Sequence, residues 1–196
     1  MEYLEGMDVK TILQKSGNKK DYEWSRRVIL TVLYTLKEVH KRGVLHRDIA
    51  PDNIFVTKEG IVKLIDFGAA KNVTVMDSSK DVWLKAGYAP IEQYKRDGNQ
   101  GPWTDVYSMC ASMYFLMSGI RIPPSPERQT GQKPVPAVDR LENDPLVPLS
   151  DMGISIPQQA EMAIMVCLNV MPEYRLQSAE EFMEALDGKF FIPVYE

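Results

Sequence analysis

Two polar runs, His46-Arg47-Asp48-Ile49-Ala50-Pro51-Asp52-Asn53 and Asp66-Phe67-Gly68, bracket one short apolar hairpin, and this arrangement constrains the fold more than any other feature of the chain. Ile54-Phe55-Val56-Thr57 and Ile61-Val62-Lys63-Leu64-Ile65 read as strands around Lys58-Glu59-Gly60, a turn in which glycine takes the positive φ. A hairpin brings its ends together, so Asp48, Asn53 and Asp66 are expected to converge. Their carboxylate and amide oxygens are hard ligands of the kind magnesium takes while it keeps waters and phosphates in its other positions. Asp48 follows a predicted short strand, Val44-Leu45-His46, and enters a tight loop, where a carboxylate can face a cleft and orient a hydroxyl. Alone, Asp48 would read as a turn aspartate bonded to its own backbone; Asn53 and Asp66 favour the functional reading.

The order and gap of these residues resemble the catalytic loop and the metal-binding loop of the protein kinase family. The resemblance implies that Asp48 is the catalytic base, that Asn53 and Asp66 hold Mg2+, and that ATP donates the phosphate. It extends along most of the chain. Met1 to Asp8 is similar to the hinge between the two kinase lobes, which implies that the backbone of Glu2 and Leu4 meets adenine, Asp8 reaches the ribose and Phe55 floors the base. An apolar Phe55 in a strand also needs no ligand to explain it. Tyr88-Ala89-Pro90-Ile91-Glu92 resembles the end of the activation segment, with Glu92 paired to Arg175 as a structural tie. Asp105 matches the aspartate that holds the catalytic loop's backbone, and a first-turn acid also suits the helix dipole. His46 and Phe67 are read as packing residues beneath the site. Arg47 resembles the arginine that meets an activation-loop phosphate; Thr74, Ser78 and Ser79 are candidate phosphosites or simply loop hydroxyls.

Two departures stand out. Most serine/threonine kinases carry a lysine two residues after the catalytic Asp, where Ala50 stands here, and usually a Thr where Lys85 stands. Both positions adjoin the catalytic carboxylate, so Lys85 is expected to supply from the activation segment the cation that Ala50 cannot. Ala50 together with Leu84-Lys85-Ala86-Gly87-Tyr88-Ala89-Pro90 resembles a bacterial subgroup of the family. In addition, nothing before His46 resembles a glycine-rich loop or a strand lysine. The expectation is therefore a mainly α, protein-kinase-like C-terminal lobe, a helical bundle with a small β-hairpin, whose small N-terminal lobe is a missing partner. The division expected is a hinge remnant at 1–8, the lobe at 9–188 and a tail at 189–196, with the catalytic loop at 46–53, the metal loop at 66–68 and the activation segment at 66–92. By themselves these residues are expected to bind nucleotide weakly.

With 196 residues, 44% of them hydrophobic and 26% charged, the chain is sized for one buried core. Helices are expected at Asp8–Ser16, Asp21–Arg42, Asp105–Ser118 capped by Thr104, Gln158–Val170, and from a Ser178-Ala179-Glu180-Glu181 capping box to about Asp187. The stretch 69–100 lacks periodicity and reads as a functional loop. Prolines between Ile122 and Pro157 leave room for at most one short helix. A net charge of −4 offers no footprint for nucleic acid. Cys110 and Cys167, on apolar helical faces, read as buried free thiols of a reducing, cytoplasmic compartment. The apolar run Met109–Met117 is too short to span a membrane.

The favoured function is transfer of the ATP γ-phosphate to a Ser/Thr hydroxyl of a protein substrate. A pseudokinase or docking module, and a small-molecule phosphotransferase, stay open as alternatives. Asp52 and Glu92 hint at basic peptides, but Glu92 is assigned to Arg175, so substrate preference stays open.

Overall fold

A computed structural model describes residues 4–67, 84–128 and 144–189. Elements follow in the order β1 (Gly6–Asp8), α1 (Val9–Lys15), α2 (Tyr22–His40), β2 (Ile54–Thr57), β3 (Val62–Leu64), α3 (Pro102–Ser118), α4 (Ser125–Arg128), α5 (Gln158–Cys167) and α6 (Ala179–Leu186). Single 3-10 turns occupy Pro51–Asn53, Ile91–Tyr94, Ser150–Met152 and Pro172–Tyr174.

The centre is α3. Every side chain from Thr104 to Met117 except Phe115 is buried, the pattern of a helix that touches protein on all sides. Helices α2, α5 and α6 pack around it, and α6 also packs against both α2 and α5. Helix α2 contributes a single apolar face, Val28, Ile29, Val32, Leu33 and Leu36, at the spacing of a 3.6-residue repeat. Burying one such side chain contributes about 1.5–3 kcal/mol, and Phe182, Tyr107 and Tyr114 are among the largest that are fully enclosed.

Helix starts follow their capping residues. Asp21 accepts from the Trp24 amide and Ser178 from the Glu181 amide. The expected capping box at Ser178 is displaced by one residue, since the Glu181 carboxylate accepts from the Gln177 amide at 2.7 Å. Gly119 closes α3 at φ 72°. Helix α3 itself begins earlier than expected: Gly101 is the cap, and Thr104, inside the first turn, accepts the Gly101 amide at 3.1 Å and donates to Glu92 Oε1 at 2.9 Å. Proline at the first helical position explains the shift, because its missing N–H is one the helix cannot use.

The sheet is antiparallel in the order β1-β2-β3. The β2–β3 hairpin was expected; β1 was not, because a strand that short has no periodicity to detect. Gly6 pairs with Thr57 and Asp8 with Phe55. At Gly6 an added Cβ would lie 2.2 Å from the Val56 carbonyl oxygen, so glycine is what lets β1 close on β2. The expected strand at Val44–His46 does not form. The amides of His46 and Arg47 go to the Asp105 carboxylate instead, each at 2.8 Å, and the loop takes a positive φ of 66° at Arg47.

Candidate active site

The loop between α2 and β2 is held from below by one carboxylate. Asp105, fully buried at the head of α3, accepts the His46 amide on Oδ2 and the Arg47 amide on Oδ1, and His40 Nε2 meets Oδ2 at 2.8 Å. A side chain other than glycine with positive φ costs of order 1 kcal/mol. The paired bonds to Asp105 hold Arg47 there and direct the next residue, Asp48, upward.

His46 spans the two loops. Its Nε2 faces the Ile65 carbonyl oxygen at 3.0 Å and so carries the proton, and its Nδ1 then accepts the Asp48 amide at 3.3 Å. Burial pushes its pKa down, against the raising influences of the Ile65 carbonyl and of Asp105. A neutral ring with both nitrogens engaged is an alignment residue, and Phe67 packs edge-on against it at 4.5 Å between centroids.

Three of the sequence-expected residues come together. Asn53 ends the 3-10 turn and donates its Nδ2 both to the Asp48 carbonyl oxygen at 2.6 Å and to Asp48 Oδ2 at 2.9 Å, which leaves its amide oxygen for another ligand. Lys85, from the far segment, lies 3.1 Å from the same Asp48 Oδ2 and 2.8 Å from Asp52 Oδ1. Asp48 Oδ1 takes no hydrogen bond among the described residues and is the oxygen available to a hydroxyl. Asp66 follows β3 with φ 61° and is exposed, one residue beyond the His46-bound Ile65.

The hinge-like residues are less convergent. Asp8 caps α1, accepting the Thr11 amide at 2.8 Å and the Thr11 hydroxyl at 2.7 Å, so its carboxylate is already engaged locally. Phe55 is half-buried in β2 opposite Asp8, and Leu4 is half-buried just before β1. Glu2, Gly68, the candidate phosphosites Thr74, Ser78 and Ser79, and most of the 189–196 tail lie outside the described residues. Two participants had no signal in the sequence, His40 beneath Asp105 and Arg121, whose guanidinium lies 5.6 Å over the Tyr88 ring, and Asp52, read there only as a hint of basic peptides, pairs with Lys85. Their contacts join segments far apart in the chain, and nothing in local periodicity marks them.

A small antiparallel sheet on a helical core, with Asp48 and Asn53 bonded to each other in a loop locked to a buried helix, is a known fold. The family model described as protein kinase domain matches residues 1–191, and the chain belongs to that family. A Clostridium perfringens protein named "Probable serine/threonine-protein kinase" is 30% identical over 95% of this chain and 26% of its own length. Serine/threonine-protein kinase F of Synechocystis is 31% identical over 95% of this chain and 35% of its own. The solved structure of PpkA-294 in its apo form matches with a TM-score of 0.73 and 30% identity, over 94% of this chain and 61% of that one. The chain thus spans roughly a quarter to a third of these curated relatives.

Proposed function

We propose that this chain carries the phosphoryl-transfer loops of a serine/threonine protein kinase, which moves the γ-phosphate of ATP to a hydroxyl of a protein substrate. The observation that carries the reading is the asymmetry of Asp48: Asn53 and Lys85 tie one carboxylate oxygen and leave the other to a hydroxyl. In this reading Asp48 accepts the proton of the substrate hydroxyl, whose oxygen attacks the γ-phosphorus, and the bond to the β-phosphate oxygen breaks to release ADP. The amide oxygen of Asn53 and the carboxylate of Asp66 would hold magnesium, which when bound neutralises charge on the phosphates. Lys85 supplies a positive charge beside the transferring group, the task that Ala50 cannot perform. Adenosine is met by the backbone of Glu2 and Leu4, by Asp8 and by Phe55, and the phosphate-covering small lobe comes from outside these residues. Exposed Met7, Ile61 and Phe67, around the sheet, support a docked partner there.

The test is transfer of labelled phosphate from ATP with magnesium to Ser/Thr peptides, in the full-length gene product against its Asp48→Asn variant. Loss of about 100-fold or more in the variant is expected. Equal labelling by both would make the chain a docking module, and labelling of sugars or choline instead of peptides would make it a small-molecule phosphotransferase.

A further inference from the structure

Beside the tied oxygen of Asp48 lies a cleft of about 100 Å³, whose polar lining is Lys10 of α1, Asp52, Lys85, Tyr88 and Arg121. We propose that this cleft binds an anionic side chain of the protein substrate, a carboxylate or a phosphate on a residue close to the acceptor Ser or Thr. The proposal rests on the kinase reading above and names its substrate class.

The charge count decides the sign. Asp52 is the cleft's one acid, and Lys85 already pairs with it at 2.8 Å, so it is no longer a receptor for a basic peptide. Lys10 and Arg121 are both exposed, and neither forms an ion pair among the described residues. Water and counterions solvate both, so their charges are available to an anionic ligand that enters the cleft. Tyr88 does not supply the anion, because burial pushes its phenol pKa up to about 12, against the lowering influence of Arg121, and the ring stays neutral.

Arg121 is also held in place. Its stem lies against the backbone of Gly87, where an added Cβ would meet Arg121 Cγ at 2.5 Å, and its guanidinium stacks over Tyr88. A planar guanidinium fixed at a cleft wall suits two-oxygen recognition of carboxylate or phosphate. Lys85 also lines the cleft and lies 3.1 Å from Asp48. A side chain seated in the cleft therefore belongs to a residue only a few positions from the hydroxyl that Asp48 orients.

The experiment measures kcat/KM of the full-length gene product on matched Ser/Thr peptides that carry Glu, phosphoserine, Gln or Lys at each of the positions flanking the acceptor. At one or two positions the Glu or phosphoserine peptide should exceed the Gln peptide by about tenfold, and the Lys peptide should be worst. Glu above phosphoserine assigns a carboxylate as the natural anion; the reverse assigns a prior phosphorylation. The acid-to-neutral ratio should fall to near unity in Lys10→Glu/Arg121→Glu. Lys10→Glu alone, on an exposed side chain, should lower it part of the way even if Arg121 proves necessary for folding. Peptides phosphorylated without acidic preference, or a preference undiminished in Lys10→Glu, would overturn the proposal and leave the kinase reading standing; no peptide labelling above the Asp48→Asn level would overturn that reading itself.

Discussion

Arg175 and Glu92, which lie on separate segments of the chain, meet in a two-pronged ion pair, Nη1 to Oε1 at 2.7 Å and Nη2 to Oε2 at 3.0 Å. Their side chains are 0% and 3% exposed. The guanidinium also caps the carbonyls of Asn169 and Val170 and stacks 4.7 Å over the Tyr107 ring. One contact thereby joins the segment that precedes α3 to the turn before α6, across the central helix. With Glu92 removed, an unpaired cation is left in the core, so Glu92→Ala should destabilise the fold by about 3–5 kcal/mol in urea unfolding. The double change Glu92→Leu/Arg175→Met should cost less than the sum of the single changes. Additive losses would mean that the pair is not coupled as its geometry requires.

Asp105 accepts two loop amides and faces His40, all at 2.8 Å. In Asp105→Asn one of its oxygens becomes an NH2 that cannot accept an amide proton. A loss of about 2–4 kcal/mol is expected, together with faster hydrogen exchange at the His46 and Arg47 amides. Amides that remain as protected as in the wild type would show that the loop is held by something else.

Lys85→Met keeps most of the side chain's length and removes its charge. In the full-length gene product, kcat for peptide phosphorylation should drop by about 100-fold while KM values for ATP and peptide move by about twofold or less. An unchanged kcat would remove Lys85 from the reaction.

The pH dependence of stability follows from His46. Burial holds its folded-state pKa below the ordinary imidazole value of 6.5. The unfolded chain takes up a proton near that value and the folded chain resists, so this contribution is full above it and declines as pH falls toward the lowered folded value. Unfolding free energy should therefore decrease between about pH 7.5 and about pH 5.5, and His46→Gln should flatten that decrease whatever it does to absolute stability. Parallel slopes for the two proteins would contradict the assignment.

Much of this protein is legible without its structure where contacts are local. Asp21 and Ser178 cap helices because a side-chain oxygen reaches an amide only three residues on. The 54–65 hairpin is encoded by alternating strands and a glycine turn, and with it the approach of Asn53 to Asp48. Cys110 and Cys167 are both buried, as apolar periodicity on their helices implies. The expected strand at Val44–His46 fails for a complementary reason: its composition suits a strand, but its amides are claimed by Asp105, a long-range acceptor that composition cannot reveal. Helix α3 starts early because Gly101 and Pro102 form a better start than Thr104, whose hydroxyl is spent on Glu92.

The amino-acid sequence determined the family, the largely helical fold with its hairpin, and the approach of Asn53 to Asp48, since motif spacing and local hydrogen bonding are carried by neighbours in the chain. Tertiary packing alone decided that Lys85 also reaches Asp52, and that Lys10 and Arg121, without an ion-pair partner among the described residues, line the same cleft. Charges from separate segments acquire partners only once a core such as the one around α3 has set their distances, and electrostatic interaction falls with distance in space rather than along the chain.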